Sequence, residues 1–349
     1  MKGKTKSVRS PGMANLTLEA ACRHYLLAKK RENCSEGTIA LYGSWLSRWR
    51  KFLKTEGFSE NLGDLTLAYG RRFSHHLHGV GERFASHPFA EPKSGGLSCH
   101  TIHQAIRILR SFGNWLYRND YTETHIFQDL ELPRLKKRMI EVLTEDEIHA
   151  ILKAADEDTM LGARNYALLV LGLDTGLRQG EMCGLRLRDV NWDQRIMKVN
   201  GKGDKERFVP FGATAEAALR RYVDIYRPEP YYTQDDSVFL SNVGTQVTGN
   251  GVIQLMRRLS ESSGVRRLHC HLLRHTFAVN YLINGGDIVT LQMILGHEDL
   301  ETTRIYLQLA QSHVTLQHNR FSPMDNMKMD RPGRRSNGNR GRRKARRIR

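Results

Sequence analysis

Three segments in the second half of the chain carry side chains suited to chemistry at a phosphodiester. They are TGLRQGEMCGLRLRDV, the short GKGDK, and HLLRHTFAVNYLINGGDIVTLQMILGHEDLETTRIYLQL. The candidates among their side chains are two arginines, a lysine, two histidines, a glutamate and a tyrosine. These candidate catalytic residues are Arg178, Glu181, Lys202, His271, Arg274, His297 and Tyr306.

Each of these residues, taken singly, has an ordinary structural explanation. An isolated arginine on a helix is usually a surface charge, and a histidine at such a position is more often structural than catalytic. Tyr306 alone would be a half-buried tyrosine on an amphipathic helix, and Lys202 could simply solubilise a turn. Only their combination and their order along the chain favour catalysis.

Helices and one hairpin must position these side chains. Gly176 is expected to end a helix, which would let Arg178 project from the following turn into a cleft. His271 and Arg274 are three residues apart on an expected helix and therefore share a face.

A β-hairpin is predicted around the GKGDK segment. Residues 195–200 and 206–211 have strand character, and Gly201, Gly203 and Asp204 are strong turn residues between them. The hairpin would hold Lys202 and Lys205 near its tip.

The residue pattern of the N-terminal half predicts only helices. Ser35 is a plausible N-cap, and the next helix of note runs from about Ser98 to Tyr117. Its apolar stripe contains Ile102, Ile106, Leu109, Gly113 and Leu116, and another face carries His100, His103, Arg107 and Arg110. That basic face could lie along a DNA groove, or it could simply be solvated.

Breaks in these patterns indicate the domain boundaries. Residues 79–97 are rich in Gly, Ser and Pro and predict a long loop, and residues 133–140 mix proline with basic residues, as a linker does. Thr144 and Glu147 then form a capping box. The expected organisation is an extension 1–14, a helical domain 15–132, a linker 133–141, a catalytic domain 142–322 and a basic tail 323–349.

The charge of the chain indicates a polyanionic partner. The formal net charge is +17, and residues 331–349 contain ten Lys or Arg and no acidic residue. Such a tail, expected to be disordered, would bind phosphates without reading sequence, although it could also serve solubility alone. The longest apolar run, Tyr166 to Leu173, is too short to span a bilayer. Five scattered cysteines without CxxC fit reduced thiols, so we expect a cytoplasmic, nucleoid-associated protein.

The three catalytic segments, in this order, resemble the catalytic domain of the tyrosine recombinases, the family of phage integrases and Xer-type resolvases. The resemblance covers roughly residues 142–311 and is weaker over the N-terminal helices. The family pattern is TGLRxxE, a hairpin lysine, HxxR, LGH and a tyrosine, and its GKGxKxRxVP hairpin reads GKGDKERFVP here. His275 adjoins the HxxR arginine, but the pattern selects His271. Cys270 stands where the family more often has proline.

The resemblance implies a mainly α fold with a small β-sheet. It consists of a helical, SAM-like core-binding domain and a mixed α+β catalytic domain, and the two close as a C-shaped clamp on DNA. The implied activity is site-specific cleavage and rejoining of DNA through a 3′-phosphotyrosine at Tyr306. Lys202 would be the general acid for the departing 5′ oxygen.

Physical chemistry agrees with roles of this kind. Attack on a phosphodiester concentrates negative charge on oxygens that Arg178 and Arg274 can hold as bidentate cations. One such donor is worth roughly 3–4 kcal/mol. A tyrosine pKa near 10 requires a proton acceptor, for which His271 is the candidate, and His297 could hydrogen-bond a phosphate oxygen. Glu181 would orient the arginine or a neighbouring group.

No metal or other cofactor is expected. HEDLE resembles the zinc motif HExxH, but Glu301 occupies the position of its second histidine, and no GxxxxGK[ST] phosphate loop occurs. The expected partners are double-stranded recombination sites, further copies of the chain as a tetramer on two duplexes, and accessory DNA-bending or directionality proteins. Candidate DNA contacts are Thr38, Arg107, Arg110, Lys205 and Arg207. The alternatives are DNA relaxation of the type IB topoisomerase kind and DNA binding without catalysis.

Overall fold

The computed structural model describes residues 16–83, 93–135, 140–201, 205–307 and 318–324. The chain divides into two compact units, residues 1–138 and 139–349. The division falls inside the segment predicted as a linker. The predicted extension 1–14 and nearly all of the tail 323–349 lie outside the described residues.

The first unit is built from helices. They are α1 (Leu18–Arg31), α2 (Glu36–Thr55), α3 (Leu67–Gly79) and α4 (Cys99–Arg118). Ser35 and Ser98 cap α2 and α4 by accepting hydrogen bonds from backbone amides three residues later, as expected for N-caps. The apolar stripe of α4 is buried as predicted. Gly113 allows Phe127 to approach closely, because a Cβ there would lie 2.8 Å from the Phe127 ring.

The predicted loop 79–97 is not entirely irregular. Two short strands, β1 (Glu82–Arg83) and β2 (Lys93–Ser94), pair antiparallel, with Glu82 opposite Ser94. The prediction of a plain loop was wrong at these positions. Pairs of two residues are too short to show the alternation that identifies a strand, and their backbone hydrogen bonds leave no trace in composition.

The second unit surrounds a long apolar helix with further helices and a small sheet. Its helices are α5 (Glu145–Ala154), α6 (Met160–Thr175), α7 (Gln179–Gly184), α8 (Ala213–Arg221), α9 (Gly249–Ser263), α10 (Cys270–Ile283), α11 (Ile288–Leu295) and α12 (Leu300–Leu307). Thr144 and Glu147 form the predicted capping box of α5. Helix α6 is buried along most of its length and packs against α8 and α10.

The sheet has three antiparallel strands in the order β3 (Val190–Asn191), β4 (Ile196–Asn200) and β5 (Glu206–Pro210). The last two form the predicted hairpin, with Lys198 opposite Phe208. The expected fold class, mainly α with a small sheet, is confirmed. Among the described residues, no helix is long and apolar enough to cross a membrane.

Two glycines bring the segments of the candidate site together. Gly176 ends α6 with φ of 62°, and a Cβ there would lie 2.4 Å from the Phe277 ring. Gly296 ends α11 with φ of 63°, and a Cβ there would lie 2.9 Å from the side chain of Arg207. Both positions need the left-handed conformation and the missing side chain of glycine. The turns before Arg178 and His297 therefore pack tightly against neighbouring elements.

Candidate active site

Arg178 stands at the first turn of α7, just beyond the helix end at Gly176, as predicted. Its backbone amide and its Nη1 donate to the two carboxylate oxygens of Glu181, at 2.8 and 2.9 Å. Its Nη2 donates to the carbonyl of Gly296 at 3.1 Å. The side chain remains 33% exposed, so the guanidinium is held firmly and still reaches the surface.

Glu181 is buried and is shared between two arginines. Besides Arg178, it accepts hydrogen bonds from Nη1 and Nη2 of Arg207, at 2.7 and 2.9 Å. Burial alone would raise the pKa of Glu181, but hydrogen bonds from Arg207 and from the Arg178 amide outweigh it and lower that pKa. The carboxylate is therefore ionised, and it orients Arg178 in the way that the sequence suggested for Glu181.

Arg207 was predicted to contact DNA, but its side chain is engaged inside the protein. It pairs with Glu181, and its Nε donates to the carbonyl of Ile294 at 2.8 Å. Only 13% of this side chain is exposed. The signal for this position was available in the sequence: strand alternation places Arg207 on the same face as the buried Val209, while Phe208 points outward.

Arg274 is buried in the site and is 4% exposed. It donates to the carbonyls of Gly176 and Leu295 at 2.6 and 2.8 Å, and its Nη2 lies 2.8 Å from Nε2 of His297. Burial and the neighbouring charge of Arg178 lower the pKa of Arg274 to about 10. It therefore keeps its positive charge near pH 7.

The hydrogen bonds of His297 define its protonation state. A guanidinium can only donate, so Nε2 of His297 accepts from Arg274 and must carry no proton. Nδ1 then carries the proton and donates to Oγ1 of Thr303 at 2.8 Å. Burial, together with Arg274 and Arg178, lowers the pKa of His297 to about 4, which agrees with a neutral ring.

Tyr306 lies on α12 and is 2% exposed. Its hydroxyl lies 2.9 Å from Nδ1 of His275, the histidine that sequence interpretation set aside in favour of His271. His271 is exposed, and its ring centroid lies 6.4 Å from that of His275. Partial burial and the charges of Arg274 and Arg178 lower the pKa of His271. The role of His271 as proton acceptor stays a prediction.

Lys202 lies outside the described residues, but the base of its hairpin is described. The amide of Gly201 donates to the carbonyl of Lys205 at 2.8 Å and closes the turn. Lys205, a predicted DNA contact, forms an ion pair with Glu298, the neighbour of His297. The hairpin is therefore attached to the turn that carries His297.

The remaining predicted DNA contacts belong to the first unit. Arg107 and Arg110 line a cavity of about 580 Å³ together with other polar side chains of α4 and the segment after it: Ser111, Asn114, Arg118, His125 and Gln128. Thr38 lies in the first turn of α2, where its hydroxyl contacts that of Ser35 at 2.9 Å. DNA contact at these positions stays a prediction.

Known proteins resemble this chain both in sequence and in structure. The phage integrase family model matches residues 141–313. The tyrosine recombinase XerC of Oceanobacillus iheyensis is 33% identical over 306 residues, covering 86% of this chain and 94% of that protein.

The chain belongs to the tyrosine recombinases.

The XerC of Bacillus subtilis is 32% identical to this tyrosine recombinase, over 82% of this chain and 90% of its own length. Among solved structures, the Tn1549 transposon integrase in complex with transposon right end DNA superposes with a TM-score of 0.67 at 18% identity, covering 88% and 100% of the two chains. XerH bound to a palindromic difH substrate, in a post-cleavage complex, gives 0.65 at 21% identity, covering 88% and 84%. The structural likeness concerns the fold. The sequence relatives identify this chain as a tyrosine-type site-specific recombinase.

Proposed function

We propose that this recombinase cleaves DNA through Tyr306. The phenolic oxygen would attack the phosphorus of a phosphodiester and form a 3′-phosphotyrosine, while the bond to the 5′ oxygen breaks and that oxygen takes up a proton. The observation that carries the proposal is that the fold brings these candidate groups together. Tyr306 contacts His275, the next residue is Arg274, and Arg274 contacts His297.

The two arginines would bind the non-bridging oxygens of the attacked phosphate. They carry permanent positive charge, and hydrogen bonds to Glu181, Gly176 and Leu295 hold them in place before DNA arrives. Charge that is already oriented stabilises a transition state without reorganisation. We propose His297 as a further donor to the phosphate, which requires it to exchange its contact with Arg274 or Thr303.

Lys202 would protonate the departing 5′ oxygen, and His271 would assist proton transfer at the site. Lys202 precedes the described Lys205 by three residues in the sequence, and Lys205 pairs with Glu298 beside His297. The exposed His271 lies one helical turn from Arg274 on α10, where it can meet bound DNA.

The substrates would be duplex recombination sites, contacted by both units. Thr38, Arg107, Arg110 and Lys205 would contact the DNA, together with the basic tail. We propose a tetramer on two duplexes, assisted by DNA-bending or directionality proteins, because strand exchange needs four cleaved strands. The tyrosine conserves the energy of the broken bond, so rejoining needs neither metal nor ATP. Such a protein would act in the cytoplasm, at the nucleoid.

Covalent capture tests whether Tyr306 is the nucleophile and identifies the cleaved DNA sequence in the same experiment. The recombinase is incubated with fragmented genomic DNA of its source organism, denatured with SDS, and the DNA that remains attached to protein is sequenced. We expect covalent complexes at a few discrete sequences for the wild type and none for Tyr306→Phe. Tyr166→Phe, a half-buried tyrosine on α6, is the matched control and should form them normally.

A plasmid assay then separates recombination from DNA relaxation. Plasmids carrying two, one or no copies of the captured sequence are incubated with the protein. Recombination predicts products only with two copies. Relaxation of supercoils that does not depend on the sequence would contradict the proposal, as would covalent complexes formed by Tyr306→Phe.

A further inference from the structure

His275 occupies a position that the proposed chemistry does not use. It lies on α10 immediately after Arg274, and its Nδ1 is 2.9 Å from the hydroxyl of Tyr306. The two ring centroids are 5.6 Å apart and the rings are inclined by 52°, so the contact is made by the edge of the imidazole. Tyr306 is almost fully buried, which shields this hydrogen bond from water.

The direction of the hydrogen bond follows from the surroundings of His275. Burial, then His271, His269 and Arg274, lower the pKa of His275 to about 4. The ring is therefore neutral near pH 7, with one nitrogen free to accept. Burial raises the pKa of Tyr306, so its hydroxyl keeps its proton in the absence of DNA. A phenol is the better donor and a neutral imidazole nitrogen the better acceptor, so Tyr306 donates to His275.

The groups that face this pair keep His275 neutral. On α10 and at its N-cap they are His269, His271 and Arg274. From other elements they are Arg178 at the start of α7, His297 after α11 and Tyr306 on α12. The arginines are positively charged, and positive charge disfavours an imidazolium. His275 thus remains an acceptor as long as the cluster is intact.

We propose that His275 is a positioning residue for the nucleophile: it accepts the hydrogen bond of the Tyr306 hydroxyl and fixes the phenolic oxygen beside Arg274 before cleavage. This inference rests on the proposed role of Tyr306. The HxxR pattern selects His271 and Arg274 and assigns no function to His275. Positioning of a reacting atom matters because a displacement of 1 Å can cost about 10²-fold in rate.

Three substitutions of His275 test the acceptor directly. His275→Asn places a carbonyl oxygen close to the position of Nδ1, whereas His275→Gln places its amide about one bond further out and His275→Leu has no acceptor. The matched control is His149→Leu, at an exposed histidine of α5. The measurements are the single-turnover rate of covalent complex formation on a nicked substrate containing the captured site, and the DNA affinity.

We expect His275→Leu to slow cleavage by about 10²-fold and His275→Asn by less than about 10-fold, with Gln between them. DNA affinity should stay within about 2-fold for all of them, and His149→Leu should behave as wild type. Wild-type cleavage by His275→Leu, or equal losses for Asn and Leu, would overturn the proposal.

A spectroscopic measurement tests the hydrogen bond between Tyr306 and His275 without relying on enzyme activity. In DNA-free protein with labelled histidines, Tyr306→Phe should move the Nδ1 chemical shift of His275 to that of an acceptor without a partner, and leave His149 unchanged. An unchanged His275 shift would refute the contact even if a His275 variant fails to fold. If the wild type forms no covalent complex but the shift responds, the proposed function fails while the His275 contact stands.

Discussion

The two arginines and the proposed nucleophile, Tyr306, are held in the site by different polar contacts. Arg274 donates to two backbone carbonyls and to His297, and Arg178 is tied to Glu181 and to the carbonyl of Gly296. Tyr306 lies on an eight-residue helix, and among the described residues its hydroxyl makes one side-chain hydrogen bond, to His275. The two arginines are thus fixed by several distant elements, whereas in the described part of the chain the Tyr306 hydroxyl has one polar partner and the ring is held by core packing.

The difference has a physical cause. A buried cation is costly unless nearly all of its donors are satisfied, so the fold must surround Arg274 with acceptors. A neutral phenol makes a smaller demand, and one acceptor satisfies it. The Tyr306 hydroxyl therefore needs fewer hydrogen-bond partners than the Arg274 guanidinium.

Arg274→Lys should produce the largest combined loss of cleavage rate and folding stability. A lysine cannot reach both carbonyls and His297, so we expect cleavage to fall by about 10²–10³-fold. Stability should fall by about 2–4 kcal/mol, because buried acceptors are left without donors. Tyr306→Phe should abolish cleavage but cost only about 1 kcal/mol. Urea unfolding and single-turnover cleavage measure both quantities.

The control for Arg274→Lys is Arg220→Lys, at a more exposed arginine of α8 that pairs with Glu216. It should change neither quantity appreciably. If Tyr306→Phe destabilised the protein as much as Arg274→Lys, the contrast between the two regions would be wrong.

Glu181→Gln should have the next largest effect. The amide cannot accept from both arginines with the strength of a carboxylate, and Arg178 and Arg207 would face each other with their charges less compensated. We expect cleavage to fall by about 10–100-fold and stability by about 2 kcal/mol. The equilibrium affinity for DNA should fall by a much smaller factor than the cleavage rate. A loss of affinity larger than the loss of rate would indicate that Glu181 acts on DNA affinity alone.

Arg207→Lys separates positioning from DNA contact. Lysine preserves the charge but loses the two-pronged pairing with Glu181 and the bond to Ile294. A positioning role predicts cleavage slower by about 10-fold with the salt dependence of DNA binding unchanged. If Arg207 instead contacted a DNA phosphate, Arg207→Ala would make the salt dependence of DNA binding shallower. Arg220→Lys again serves as the control.

Low pH should also destabilise the second unit. His275 and His297 have pKa values lowered to about 4, while an unfolded histidine titrates near 6.5. Between these values the unfolded chain binds more protons, so stability decreases as pH falls from about 7 to about 4. The melting temperature measured across this range should fall less steeply for His275→Asn than for wild type. A parallel curve would argue against a buried neutral His275.

Local patterns were predicted well because their causes are local. Ser35 and Ser98 cap helices through amides three residues away, and the stripe of α4 follows from helical spacing alone. The strands β1 and β2 were missed because two-residue strands carry no periodic signal. Six of the seven candidate catalytic residues lie among the described residues, and Lys202 remains a prediction from the sequence.

The sequence by itself determined which chemical groups the site contains, in which order they occur and which helices carry them. Tertiary structure alone decided which groups meet. His275 and His271 lie on the same helix, and only the packing of α12 against α10 selects His275 as the partner of Tyr306, 31 residues away. Likewise Arg207 meets Glu181 across 26 residues. Periodicity assigns a residue to a face, but contacts between distant segments depend on how whole elements pack, which no local pattern encodes.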